Sequence, residues 1–375
     1  MLANEDARRM SEKTALRLTA DALSGEVVKL DRGYPLVRLA NGDEVRCEQA
    51  TALVKTDHRR AVIGDRVNVS IPAGHDKGII ESIEPRTREF VRKDPTDRAQ
   101  AQVLAANFDQ VIVAQPVTEL NMRRLERELV LAFETGAAVA VVLTKADLAD
   151  ETSSIDEVRE AVCDLAGADV DVFVVSESDQ ASVEAVRRRL EPGTMTVLLG
   201  RSGVGKSTLV NLLIGKELQE TGAVREGDGK GRHTTVSREI IDIPQAGRVV
   251  DMPGVRGLGL WDADEGIDAA FSDIAEAAQA CRFRDCKHEN EPGCAVREAV
   301  ERGDISQVRF DSYKALCQET ADVRQRREQA RWATADRGRA RKADMKKSDA
   351  KKRMQGNDAS DGKARKGSQR RRAKG

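Results

Sequence analysis

Thr196-Val-Leu-Leu-Gly200-Arg-Ser-Gly-Val-Gly-Lys206-Ser-Thr-Leu209 is the stretch on which the reading of the chain turns. Val197, Leu198 and Leu199 form a short apolar run of the kind that makes a buried strand, and Leu209, Leu212 and Leu213 follow at helical spacing. Between them lies a complete G-x-x-x-x-G-K-S, and strand, glycine loop and helix together make that motif a phosphate cradle. Gly200, Gly203 and Gly205 let the backbone turn its N–H groups inward, and the start of the helix adds positive potential. The candidate binding positions are therefore Gly200, Arg201, Ser202, Gly203, Val204, Gly205, Lys206, Ser207 and Thr208. Lys206 is the candidate to stabilise charge on the β- and γ-phosphates, and the Ser207 hydroxyl is a candidate ligand of Mg²⁺. An ordinary Gly-rich turn would not require Lys-Ser in register.

The 375 residues allow two or three domains, each with a core. A net charge of −1 hides an asymmetry: residues 321–375 carry 20 Lys/Arg against 7 Asp/Glu, and the rest of the chain carries 42 against 56. An acidic body with a basic tail points to an anionic partner for the tail. Little in the sequence from about 331 onward can be buried, so a disordered tail is expected, serving either RNA attachment or solubility. No apolar run reaches the roughly 20 residues of a membrane span, and residues 1–22 are polar and charged throughout, without the apolar core of a signal peptide. The expectation is a cytoplasmic, monomeric protein with no membrane partner, whose six cysteines are thiols or metal ligands rather than disulfides.

Residues 23–85 contain five short alternating segments, with Asn41-Gly42 as a hairpin turn, and suit a small barrel of the oligonucleotide-binding type. Such a barrel either binds nucleic acid or packs on its neighbour; Tyr34 is its one aromatic side chain. Residues 86–107 are polar and contain proline, and read as a linker. From 108 to 199, Val/Leu-rich strands near 111, 139, 172 and 197 alternate with amphipathic helices near 121–135, 154–166 and 180–190, which predicts a parallel, doubly wound sheet.

The second of these strands ends in Thr144-Lys145-Ala146-Asp147. This resembles the guanine-recognition motif of GTPases. Asp147 can accept from guanine N1–H and N2–H₂, a donor pair that adenine lacks, and the aliphatic stem of Lys145 can cover the base. Ser176-Glu177 follows the third strand, where GTPases place a Ser-Ala pair, and Glu177 departs from that pattern. After the glycine loop come His233, Thr234 and Thr235 in a Gly-rich segment, then Asp251-Met-Pro-Gly254 after two predicted strands. Thr234 or Thr235 can sense Mg²⁺ and γ-phosphate; Asp251 suits the Mg²⁺ shell, and the Gly254 N–H the γ-phosphate. The position after Gly254 is Val255, which cannot orient a water, so His233 is the candidate for that role; a solvated loop histidine is the other reading.

Downstream, Cys281, Cys286, His288 and Cys294 give C-x₄-C-x-H-x₅-C, a full tetrahedral set for one structural Zn²⁺. Cys47, Cys163 and Cys317 lie outside it and read as buried or incidental thiols.

The guanine motif precedes the glycine loop, and the two switch segments follow it. The usual nucleotide fold survives that order only in a circularly permuted chain. With a barrel before it and a Cys/His cluster after it, the sequence resembles the ribosome small-subunit-dependent GTPase A family over about residues 23–320. The resemblance implies an oligonucleotide-binding barrel, a circularly permuted P-loop α/β domain and a helical zinc-binding domain. The expected divisions are 1–22 (arm), 23–85 (barrel), 86–260 (nucleotide domain), 261–330 (zinc region) and 331–375 (tail). It also implies Mg²⁺-dependent hydrolysis of GTP, stimulated by the small ribosomal subunit during its late maturation, with binding to rRNA. A GTPase switch on another RNA or membrane-linked partner, and an RNA-binding protein that holds GTP with negligible hydrolysis, are the alternatives.

Overall fold

A computed structural model of the protein describes residues 23–31, 34–55, 59–93, 101–149, 155–215, 238–252, 259–329 and 332. Residues Met1–Thr320 form one compact unit and Ala321–Gly375 a second; helical residues 321–329 belong to the latter.

Five strands make the N-terminal barrel: β1 (Leu23–Asp31), β2 (Tyr34–Leu39), β3 (Glu44–Gln49), β4 (Arg66–Ser70) and β5 (Gly78–Ile83). They pair in the order β1-β2-β3-β5-β4, and β4 closes back on β1. Alternation decides which face is inside: Val27, Val37, Leu39, Cys47, Val67, Val69 and Ile80 fill the interior. A one-turn helix, α1 (Thr51–Lys55), lies between β3 and β4.

The stretch 86–107 is not the linker its polarity predicts. It contains an antiparallel hairpin, β6 (Glu89–Lys93) with β7 (Ala101–Ala106). Phe90, Leu104, Ala105 and Ala106 are buried, so four apolar positions anchor a segment whose charged residues dominate its composition. Arg86 reinforces the junction with the barrel. Its guanidinium donates to Asp65 through Nε (2.7 Å) and Nη2 (2.9 Å), with both side chains buried.

Beyond it, β8 (Gln110–Pro116), β9 (Ala138–Thr144), β10 (Asp171–Val174), β11 (Met195–Leu199), β12 (Arg238–Asp242) and β13 (Arg248–Asp251) form the nucleotide-domain sheet in the order β10-β9-β8-β11-β13-β12. All neighbours are parallel except β12 with β13. Consecutive residues face opposite sides: Val111, Val113 and Val197 pack under helix α2 (Met122–Phe133), whereas Ile112 and Leu198 face α4 (Gln180–Arg189) and α5 (Lys206–Ile214). Helix α3 (Ile155–Ala166) covers the α2 side. The predicted strands and helices of 108–199 are thus present, within a few residues. β12 also pairs with β1 (Lys29↔Glu239, Leu30↔Arg238), so barrel and nucleotide sheet are one continuous sheet of eleven strands.

The C-terminal part of this unit is helical: α6 (Asp264–Ala270), α7 (Ser272–Ala278), α8 (Ala295–Arg302) and α9, residues 307–320. The cysteine-rich loop lies between α7 and α8.

Candidate nucleotide site and metal cluster

The fully buried strand β11 delivers the glycine loop to the middle of the sheet, beside β8 on one side and β13 on the other. Gly200 leaves the strand at φ 150°, and a Cβ there would lie 2.6 Å from the Ala114 carbonyl oxygen, so the loop starts hard against β8. Helix α5 begins at Lys206. The Lys206 ammonium donates to the carbonyls of Gly200 (2.8 Å) and Arg201 (3.2 Å), lying across the loop. Burial lowers its pKa, opposed by Asp251 and Glu128.

Asp251 ends β13, in register with Leu198. Burial raises its carboxyl, while Lys206 and a hydrogen bond from the Ser207 hydroxyl act the other way. Among the described residues its Oδ1 is buried without a hydrogen-bond partner. A buried, unpaired carboxylate oxygen beside a serine hydroxyl is the donor set a hard divalent cation takes, so these residues fit Mg²⁺.

The predicted base-recognition residues reach the same cleft from β9. Thr144 Oγ1 donates to the Val204 carbonyl of the glycine loop (2.5 Å). Lys145 takes a left-handed backbone (φ 59°), and Asp147 follows in a 3₁₀ turn, Ala146–Leu148. The Glu177 N–H donates to Asp147 Oδ1 (3.3 Å), so the residue that departs from the usual pattern still reaches the motif through its backbone. Thr144, Lys145, Val175, Glu177, Gly205 and Leu212 line an open cleft of about 290 Å³. It lies at the carboxyl ends of β9 and β11, where doubly wound sheets bind ligands. His233, Thr234, Thr235, Gly254 and Val255 lie outside the described residues.

Sequence reasoning missed a polar pair behind the loop. Glu128 of α2 is buried, accepts a hydrogen bond from Gln115 Nε2 at the end of β8, and is electrostatically coupled to Lys206. Burial pushes its carboxyl up to about 7, with Gln115, Arg124 and Lys206 opposing. A signal was present: Glu128 falls at the third position after Leu125 and the fourth before Ala132, on the apolar face of the helix.

The four predicted zinc ligands converge. Cys281, Cys286, His288 and Cys294 place their ligand atoms within 4.8 Å of one another. Cys281 Sγ is 3.6 Å from His288 Nδ1 and 4.0 Å from Cys294 Sγ, and His288 Nδ1 is 3.4 Å from Cys294 Sγ. A tetrahedron with Zn–S of about 2.3 Å and Zn–N of about 2.0 Å has edges of roughly 3.5–3.8 Å. The spacings among Cys281, His288 and Cys294 lie close to those edges, Cys286 stands within 4.8 Å of all three, and the thiols are free. Glu291 shapes the loop by accepting the N–H groups of Lys287 (3.0 Å), Glu289 (2.8 Å) and Asn290 (3.1 Å). Outside the cluster, Cys47 is buried and Cys163 and Cys317 are half-buried.

No helix among the described residues is long and apolar enough to cross a membrane. The RsgA GTPase family model matches residues 83–261. The ABC transporter model matches 183–368, which includes the glycine loop but not the Thr144–Asp147 motif. Among curated proteins, the Small ribosomal subunit biogenesis GTPase RsgA of Streptomyces avermitilis is 41% identical over 302 residues, 80% of each chain. Its namesake from Methanosarcina acetivorans is 38% identical over 262 residues, 70% of each. Among solved structures, YjeQ from Thermotoga maritima aligns with a TM-score of 0.59 and 26% identity, over 80% of this chain and 99% of that one. The circularly permuted GTPase YloQ aligns at 0.57 and 24%, over 82% and 97%, and at that identity speaks for the fold. Kinship of this extent across four fifths of both chains leaves one conclusion: the chain belongs to the RsgA family of circularly permuted GTPases and is a GTP hydrolase.

Proposed function

We propose that this GTPase acts in late maturation of the small ribosomal subunit, binds that subunit's rRNA, and is stimulated by it, as a cytoplasmic monomer. The names of its relatives support the partner, and the basic composition of 321–375 supports an RNA-facing tail. The nucleotide reading is carried by one observation: the Thr144–Val204 hydrogen bond joins the guanine motif to the glycine loop across a single cleft.

In this reading Asp147 accepts from guanine N1–H and N2–H₂, and the Lys145 stem covers the base. Lys206 leaves the carbonyls of Gly200 and Arg201 for the β- and γ-phosphates, joined by the loop N–H groups from Gly200 to Thr208. Ser207 and Asp251 would hold Mg²⁺, which would supply positive charge to the phosphates. Thr234 or Thr235 senses the γ-phosphate, the Gly254 N–H contacts it, and His233 orients the water that Val255 cannot. The water oxygen bonds to the γ-phosphorus as the bond to the β–γ bridging oxygen breaks, giving GDP, inorganic phosphate and a proton. Lys206 and the loop N–H groups stabilise the charge that gathers on the leaving oxygens. Cys281, Cys286, His288 and Cys294 hold one structural Zn²⁺. The proposed division is a barrel over 23–85, the nucleotide domain over 86–260 and the zinc region over 261–330, flanked by an arm at 1–22 and a tail at 331–375.

Phosphate release measured with and without purified small subunits tests the proposal. Stimulation by subunits is the expected result. Release without stimulation would point to a different partner, and no release under either condition to a GTP-binding module. His233→Ala leaving stimulated turnover unchanged would remove that residue from the mechanism.

A further inference from the structure

Only eight residues separate Asp251, the candidate Mg²⁺ carboxylate, from Leu260. The backbone at 259–260 is held from two directions. The Gly259 carbonyl accepts the N–H of Lys93 in β6 (3.1 Å). The Leu260 N–H donates to Glu319 Oε1 in α9 (3.2 Å), and the Leu260 side chain is fully buried.

Glu319 is itself fixed. Arg127 of α2 donates to both of its oxygens, Nη1 to Oε1 (2.8 Å) and Nη2 to Oε2 (2.6 Å). A fork of this kind sets the plane of a carboxylate as well as its position. Burial raises the Glu319 carboxyl, but Arg127, the Leu260 N–H and Lys93 together hold it below the ordinary carboxylate range, so it stays an anionic acceptor. α2 in turn packs on the sheet that carries the nucleotide cleft.

The same helix α9 reaches the metal cluster. The Tyr313 ring stands 6.3 Å from the His288 ring and edge-on to Phe271 at 5.6 Å. Further contacts lock α9 to α2 and α7: Ser312 donates to the buried Glu126, and Arg309 forms a fork with Asp273 (2.7 and 2.8 Å). One side chain of α9 thus touches the backbone that leaves the nucleotide site, while another lies beside a zinc-cluster residue.

We propose that Glu319 is a positioning residue for GTP hydrolysis: by accepting the Leu260 N–H it fixes the backbone downstream of Asp251, and through α9 it ties that point to the Cys₃His region. This rests on the reading of Asp251 given above. Glu319 touches no substrate and acts through Leu260. The ion pair with Arg127 stabilises the fold, and the hydrogen bond to Leu260 serves the reaction; Oε1 takes part in both, so the two jobs are separated by changing Arg127 as well as Glu319.

Glu319→Gln, Glu319→Met and Arg127→Met separate them. Both Glu319 variants lose the ion pair with Arg127, but glutamine keeps the oxygen that accepts from Arg127 Nη1 as well as from Leu260, so Tm falls in both and further in Glu319→Met. Only glutamine keeps an oxygen that can accept from Leu260. Single-turnover hydrolysis at saturating GTP, together with GTP affinity and Tm, is measured for all three. Glu319→Met should turn over about tenfold more slowly, the worth of one hydrogen bond, with GTP affinity little changed. The glutamine variant should recover most of that loss. Equal turnover in the two Glu319 variants overturns the proposal, as does an equal loss of turnover in Arg127→Met, which breaks the ion pair but leaves Glu319 to accept from Leu260. A measurement on the unmodified full chain stands beside it: amide exchange across 259–265 should differ between GDP and a non-hydrolysable GTP analogue. Identical protection in both states would also overturn it. Failure of the nucleotide reading looks different, as the unmodified protein would then release no phosphate at all.

Discussion

Replacing Glu128 by glutamine should stabilise the protein increasingly as pH rises. In the folded state burial holds the Glu128 carboxyl at about 7, against an ordinary value of 4.5. The groups facing it are Gln115 from β8, Arg124 on its own helix, and Lys206 from α5, behind which lies Asp251. A folded pKa above the unfolded one means that the full stability is present below pH 4.5 and is lost as pH rises through 7. A shift of this size corresponds to about 3 kcal/mol once ionisation is complete, of which about 2 kcal/mol falls between pH 5.5 and pH 8. Glutamine has nearly the same shape, can still pair with Gln115, and does not ionise. Urea unfolding of the two proteins at pH 5.5 and pH 8, with the zinc cluster intact at both, should show the variant's advantage growing by about 2 kcal/mol across that window. Saturating GDP should widen the gap, because phosphates that engage Lys206 weaken one of the two cations, Arg124 being the other, that favour ionised Glu128. A difference between the two proteins that is the same at both pH values would refute the reasoning, since the cost of the buried charge would then not exist.

Asp147→Asn should weaken GTP binding by on the order of 10²–10³-fold through loss of two charge-assisted hydrogen bonds. The same variant should gain affinity for xanthosine triphosphate, which offers a carbonyl where guanine offers an amine; equal loss for both nucleotides in a titration would contradict the assignment. Metal analysis should find one zinc per chain, and Cys294→Ser should abolish it. Amide exchange should then rise across 281–305 while GTP affinity in the same sample holds. Arg86→Met leaves the buried Asp65 carboxylate without its fork and should cost roughly 3–5 kcal/mol in urea unfolding, with nucleotide affinity unchanged in whatever fraction is folded.

Much of this was legible in the sequence because the informative residues are bound to local geometry. A Val/Leu run followed by G-x-x-x-x-G-K-S can only be a strand, a loop and a helix start, and the structure has them at Met195–Leu199 and Lys206–Ile214. The Cys₃His group was readable because its four donors sit in a metal-ligand spacing within one short loop, which the structure folds so that they lie within 4.8 Å of one another. Local reading failed where composition and burial disagree. In 86–107 the charged residues outnumber Phe90 and Leu104, yet those two decide that the segment is a hairpin. Nor could pattern alone pair Arg127 with Glu319, or Arg248 with Glu26, since each pair is far apart in the chain and is made by the packing of whole elements.

The barrel is attached to the rest of the unit in two unlike ways, and the difference lies in burial. On one side the Asp65–Arg86 fork is closed to solvent, and Asp65 also accepts the Val62 N–H (2.7 Å), so breaking it would strand a buried charge. On the other side β1 meets β12 over two residue pairs, flanked by Lys29–Glu239, Arg38–Asp242 and Arg248–Glu26. Those ion pairs are partly exposed, and each is worth at most about 1 kcal/mol after solvent screening. β12 nevertheless needs a neighbour, because an unpaired strand there would leave a row of open N–H and C=O groups at the sheet edge. The result is a strong anchor at 65–86 and a weak seam along β12, the partner of the strand that ends in Asp251. A force that turns the barrel would therefore open the seam before the anchor. The seam is also the side on which the barrel lies two strands from Asp251, the candidate Mg²⁺ carboxylate, so the part of the joint that yields most easily is the part nearer the candidate nucleotide site.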